Sequence, residues 1–170
     1  MADLVIHLAA ARLCAVPVRS PVFRAGAFLG AALPDIVYKG FLYATASPQW
    51  YCVPSHAPLV FVVMAYWISL LFDRRERSAL FGGLLVGGFS HILIDYGKRF
   101  LVPRAVPIFF PYSVKLYQGG WYASDSSVYV TIPALLLMIA LGWVERRIHG
   151  EGAPDKSQIP TAKSQQNPKS

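Results

Sequence analysis

GGLLVGGFSHILIDYGKRF, residues 82 to 100, decides how the rest of the chain is read. Its first nine residues are apolar or small, and Gly82, Gly83, Gly87 and Gly88 recur at the spacing that lets helices approach closely in lipid. His91 and Asp95 follow, four positions apart. On a helix such residues share one face, so an imidazole nitrogen and a carboxylate oxygen can both reach a single ion. The stretch reads as a buried helix that ends in two ligands.

The composition around it points to a membrane. The chain has 170 residues, of which 55% are hydrophobic and only 15% charged, against about 45–50% and about 25% for an average soluble domain. Five apolar segments can be marked, at 4–16, 22–37, 57–72, 79–95 and 128–144. The cleanest are APLVFVVMAYWISLLF and VYVTIPALLLMIALGWV. At 1.5 Å per residue these cover roughly 24 to 26 Å, near the lower limit for crossing the hydrocarbon core. The expected fold is therefore all-α, an integral membrane bundle of about five helical segments, with a soluble helical core as the less favoured alternative. Residues 38–56 and 96–127, rich in Gly, Pro, Ser and aromatics, read as two long irregular outer loops. The bundle takes in residues 1–148. From His149 onward the sequence is polar and lacks aromatics, a composition that reads as a disordered tail.

A net charge of +7 would suggest nucleic acid in a soluble chain, but here the basic residues gather at the ends of apolar segments. DRRER (73–77) and ERR (145–147) sit beside the two cleanest spans, and the positive-inside tendency makes both cytoplasmic. The expected partner is membrane lipid and not nucleic acid. The expected topology is multi-pass, with a cytoplasmic C-terminus. Trp50, Tyr51, Tyr96, Tyr112, Trp121 and Tyr122 then mark the outer interface. Cys14 and Cys52 fall at opposite ends of the bundle and are expected to be free thiols.

On that topology the rare polar residues share one layer: His7, Asp35, His56, His91 and Asp95 all fall toward the outer ends of their segments. Each alone has an ordinary explanation as a cap, a turn residue or a satisfied core group. Together they point to a metal centre, because ionisable groups at membrane depth are costly and need partners. Imidazole and carboxylate ligands favour zinc among the divalent ions. Five candidates exceed one tetrahedral set, so one ion with a supporting residue, or two ions with a bridging carboxylate, both fit. Asp3, four before His7, is placed to orient that imidazole.

The order His7, LPD (33–35), SH (55–56), SHILID (90–95), PYS (111–113) and GGW (119–121) resembles the bacterial membrane-bound metal-dependent hydrolase family, over residues 1 to about 145. More distantly, the order of histidines and aspartates is similar to that of zinc-dependent phospholipase C. The resemblance implies a bacterial inner-membrane protein that performs metal-assisted hydrolysis with His7, Asp35, His56, His91 and Asp95 as ligands. Asp35 or Asp95 would bind metal or take up a proton. Lys98, Arg99 and Arg104, on the outer side against the charge trend, would bind an anionic substrate such as a lipid-linked phosphate. A non-catalytic metal site that staples helices together is the alternative, with a transporter third.

Overall fold

The computed structural model of the chain describes residues 2–45, 53–99, 106–123 and 127–149. Five helices dominate it: α1 (Ala2–Ala15), α2 (Pro21–Thr45), α3 (Pro58–Leu70), α4 (Arg74–Gly97) and α5 (Ser127–His149). A single 3₁₀ turn, Val53–His56, leads into α3. Two-residue strands β1 (Lys98–Arg99) and β2 (Tyr122–Ala123) pair in parallel, Lys98 opposite Tyr122.

Helix α4 is the hub. It packs most extensively on α2, and also on α1 and α3, while α5 lies against α1 on the outside. The α2–α4 contact is made by small residues on both sides. A methyl group on Gly26 would lie 2.8 Å from the Leu80 carbonyl oxygen, and one on Gly30, Gly83 or Gly87 would run into the Leu84, Phe23 or Ala27 carbonyl. The two backbones are thus in direct contact, with Ala27 and Ala31 fully buried between them. On the next face of α4, Gly88 makes room for the ring of Phe61 from α3. Phe61, Ala65, Leu80, Leu84, Ile92 and Val106 form the apolar core around this contact.

Two expectations from the sequence are corrected. The span expected over 57–72 is a helix of only 13 residues, bounded by Pro58 at its first turn and by Leu71, whose N–H folds back to Ile68 and Ser69. Among the described residues, the helices long and apolar enough to cross a membrane are Arg74–Gly97 and Tyr129–Arg147. The first of the expected outer loops is also shorter than 38–56, because α2 continues to Thr45. Gly40, which suggested a break, faces open space, and Lys39 bonds Asp35 one turn back at 2.7 Å. An interior glycine costs a helix only about 1 kcal/mol, so it does not stop one alone.

Charge closes the end of the bundle far from His91. Arg12 of α1 bonds Glu145 of α5 at 2.8 Å. Arg77 donates to the Leu70 and Phe72 carbonyls at the end of α3, where a cation also suits the helix dipole. Cys14 nearby is an exposed free thiol, whereas Cys52 lies outside the described residues. Helix α5 buries little of itself, with Tyr129, Ile132, Leu136, Ile139 and Trp143 all facing outward.

At the opposite end of α4 a distant segment supplies the missing hydrogen bonds. The last carbonyls of a helix have no partner within it. Here Tyr122 Oη donates to the Ile94 carbonyl at 2.8 Å, Gly119 N–H to Tyr96 at 2.6 Å and Trp121 N–H to Gly97 at 2.7 Å. The φ of +67° at Gly120 provides the bend between the two backbone bonds.

The helix contact predicts opposite outcomes for two glycines. Gly87→Val should destabilise the protein by about 1–3 kcal/mol or more, since only backbone lies in the way. Gly40→Ala, which meets nothing within 4 Å, should be neutral or stabilising by up to about 1 kcal/mol. Thermal unfolding in detergent micelles, followed by circular dichroism, compares them.

Candidate metal centre

Four elements deliver the polar side chains. His7 comes from the middle of α1, Asp35 from α2 just after Pro34, His56 from the end of the 3₁₀ turn, and His91 and Asp95 from the last two turns of α4. His91 Nε2 lies 3.3 Å from His56 Nε2 and 3.3 Å from Asp95 Oδ2, and His56 Nε2 lies 3.5 Å from that oxygen. His7 stacks on His91 with ring centroids 3.8 Å apart, and its Nε2 is 3.3 Å from Asp95 Oδ1. His7 and His91 are almost completely buried, at 1% and 0% exposure. Asp35 stands on the half-exposed side with His56.

Hydrogen bonds behind the rings fix which nitrogens face inward with a lone pair. His91 Nδ1 is 2.6 Å from the Ala31 carbonyl oxygen. A carbonyl only accepts, so Nδ1 carries the proton and a neutral His91 turns a bare Nε2 toward Asp95. His56 is fixed through one more atom. The Ser55 hydroxyl donates to the Pro34 carbonyl at 3.3 Å, leaving its oxygen to accept from His56 Nδ1 at 3.0 Å. Neutral His56 therefore also points a bare Nε2 inward.

Three electron pairs, on two nitrogens and one carboxylate oxygen, thus face one another with no hydrogen between them. In a buried site that arrangement is repulsive unless a positive charge enters it. An added proton or a metal ion supplies one. The separations of 3.3 to 3.5 Å match the roughly 3 to 4 Å expected between ligands held about 2.0 to 2.2 Å from one zinc. Among the described residues two groups can hold an ion, His7–His91–Asp95 and Asp35–His56–His91, the ligand atoms of each lying within 4.8 Å of one another. His91 belongs to both. His7 Nδ1 is buried with no hydrogen-bond partner among the described residues.

All five candidate ligands are brought together; among the residues expected to bind substrate, Lys98 is placed differently. Lys98 is buried, and its ammonium sits on Asp95 Oδ1 at 2.7 Å rather than at an open mouth. Arg99 is exposed, and Arg104 lies outside the described residues. Asp3 is on α1 one turn before His7, its side chain outside the described residues. The sequence reading gave no role to Ser55, Lys39 or the Ala31 carbonyl. Ser55 carried a signal, being next to His56. A backbone carbonyl carries none.

A family model described as YdjM inner membrane protein matches residues 3–153, and the chain belongs to that family. It is thereby a bacterial inner-membrane protein. Comparison with curated proteins and with solved structures returns no match.

Removing the group that fixes the His56 ring tests the lone-pair geometry. Ser55→Ala should weaken zinc binding about 10–100-fold, the usual cost of losing the partner behind a ligating histidine, while leaving the helical content unchanged. Zinc competition against a chromophoric chelator measures it.

Proposed function

We propose that this member of the YdjM inner membrane protein family is a metal-dependent hydrolase acting on a phosphorylated or lipid-linked substrate at the non-cytoplasmic face. One observation carries the reading: His56 and His91 are each held from behind so that both bare Nε2 atoms meet the Asp95 carboxylate. These three residues would hold the cation, with His7 and Asp35 completing or bridging the site. Zinc suits the nitrogen and oxygen donor set. The chemistry supplied by such a cation is Lewis-acid activation of water and polarisation of a phosphoryl or carbonyl oxygen.

The two carboxylates differ in what they are free to do. On Asp95, Oδ1 is taken by Lys98 and His7, and Oδ2 faces the two bare histidine nitrogens where the cation would sit. Asp35 has one oxygen on Lys39, whose side chain is 48% exposed, and is itself partly exposed, at 16%. Asp35 is therefore assigned to accept the proton of the attacking water, and Asp95 to bind. Arg99, exposed just past the end of α4, would attract an anionic substrate.

The membrane orientation is part of the same proposal. Arg74, Arg75 and Arg77 open the helix that carries His91, 17 residues or roughly 26 Å from Arg74. With that basic end cytoplasmic, the centre lies toward the other face. The complete burial of His91 also supports a second reading, in which a cation tied to α1, α2, α4 and the 3₁₀ turn is purely structural. A structural site is coordinatively closed, whereas a catalytic one keeps a position for water.

Detergent-purified protein should carry one or two equivalents of divalent metal by elemental analysis, and His91→Ala should lose most of it. Full retention in that variant removes the metal reading. Hydrolysis of a chromogenic phosphodiester should stop on chelation and return with zinc. Metal that is bound without such activity selects the structural reading. A reporter fused after Arg147 should be cytoplasmic and one inserted at Gln118 should not; a periplasmic C-terminus would put the site on the cytoplasmic face.

A further inference from the structure

Lys98 is the one lysine placed on the carboxylate at the heart of the cluster, and nothing in the hydrolytic reading uses it there. It is 4% exposed and begins β1, the residue immediately after α4. Burying an ammonium is expensive unless it is paired and hydrogen-bonded, and long lysines near helix ends otherwise extend toward water. This one is held in from both sides. Its backbone N–H bonds the Asp95 carbonyl, and its strand pairs with Tyr122, which is itself bonded to the Ile94 carbonyl.

The two oxygens of Asp95 consequently face different company. Oδ1 meets the Lys98 ammonium at 2.7 Å and His7 Nε2 at 3.3 Å, while Oδ2 meets the bare nitrogens of His56 and His91. We infer that Lys98 is a resident counter-cation of the centre: it neutralises Asp95 when the site is empty, and it holds Oδ1 so that a metal is offered Oδ2 alone. The inference rests on the metal reading above. It adds that the centre is built for an exchangeable ion. A fixed positive charge a few ångströms from a divalent cation weakens its binding, and the carboxylate it occupies cannot chelate with both oxygens. The same charge stabilises the metal-free protein, since a buried carboxylate without a partner is strongly destabilising.

The test uses full-length protein in detergent, stripped with a chelator and titrated with zinc against a competing chromophore. Lys98→Met should bind zinc more tightly than the parent by on the order of tenfold or more, the effect expected of one charge removed at this range even under strong screening. It should also show the larger rise in unfolding temperature on zinc addition, because its metal-free form is the less stable. Lys98→Arg, which keeps the charge, should return both quantities to within about threefold of the parent affinity. Lys98→Gln serves if the methionine variant does not fold, with the same expectation. Variants that accumulate only when zinc is supplied meet that expectation. Unchanged or weaker zinc binding in the neutral variants overturns the inference, as does a failure of both to fold with or without zinc. His91→Ala separates the two levels. If it binds zinc like the parent, the centre itself is misassigned; if it loses zinc while Lys98→Met gains nothing, only the role of Lys98 falls.

Discussion

The structure depends on two helix backbones being allowed to touch. Gly26 and Gly30 of α2 face Leu80 and Leu84 of α4, and Gly83 and Gly87 face Phe23 and Ala27 in return. Because no side chains keep the axes apart, a carbonyl of α2 comes within reach of a side chain of α4. That is how Ala31 receives the proton of His91 Nδ1. Packing in the apolar half of the contact therefore sets the chemistry of its polar half. Helix association in lipid relies on such close packing, since burying apolar surface gains little where the surroundings are already apolar.

The polar half then follows its own logic. Pro34 leaves the Gly30 carbonyl without the N–H that a helix would normally supply at that position. Its own carbonyl takes the Ser55 hydroxyl, which in turn fixes His56. Two histidines from separate elements are thus oriented by α2 alone, one through Ala31 and one through Pro34. Asp95 is brought to the same face by the helix itself, being one turn past His91, and Lys98 holds its Oδ1. A cluster so arranged has its donors pointing outward and its lone pairs pointing in, the reverse of an ordinary satisfied core network.

Much of this was legible in the sequence, and the limits have physical causes. The four-residue spacing of His91 and Asp95 needs only a helix to bring them to one face, and the five apolar segments correspond in order to the five helices. The glycines at 83 and 87 were readable as a close contact, although which helix they met was not. The extension of α2 to Thr45 was hidden by Gly40, because a glycine signals flexibility whether or not the surroundings use it. Counting apolar residues favoured 57–72 as a span, but Pro58 and the turn at Leu71 leave 13 residues of helix. Lys98 was misjudged for a related reason. Next to Arg99 it read as a cation on the outer side for an anionic substrate, and only the direction of the chain after Gly97 shows that it turns inward.

The hydrogen bonds that seal the end of α4 bear on the order in which the protein is made. All five candidate ligands are in the nascent chain once residue 95 is joined, yet the turn that carries Asp95 is closed by Gly119, Trp121 and Tyr122. At the usual 5–20 residues per second, the 27 residues between Asp95 and Tyr122 take roughly one to five seconds to synthesise. For that interval the nascent chain has its ligands but not the fastening of the helix that bears two of them. The last residue of that fastening is joined just before α5 begins at Ser127. A chain interrupted between these points would contain every ligand residue and still lack the clasp on their helix.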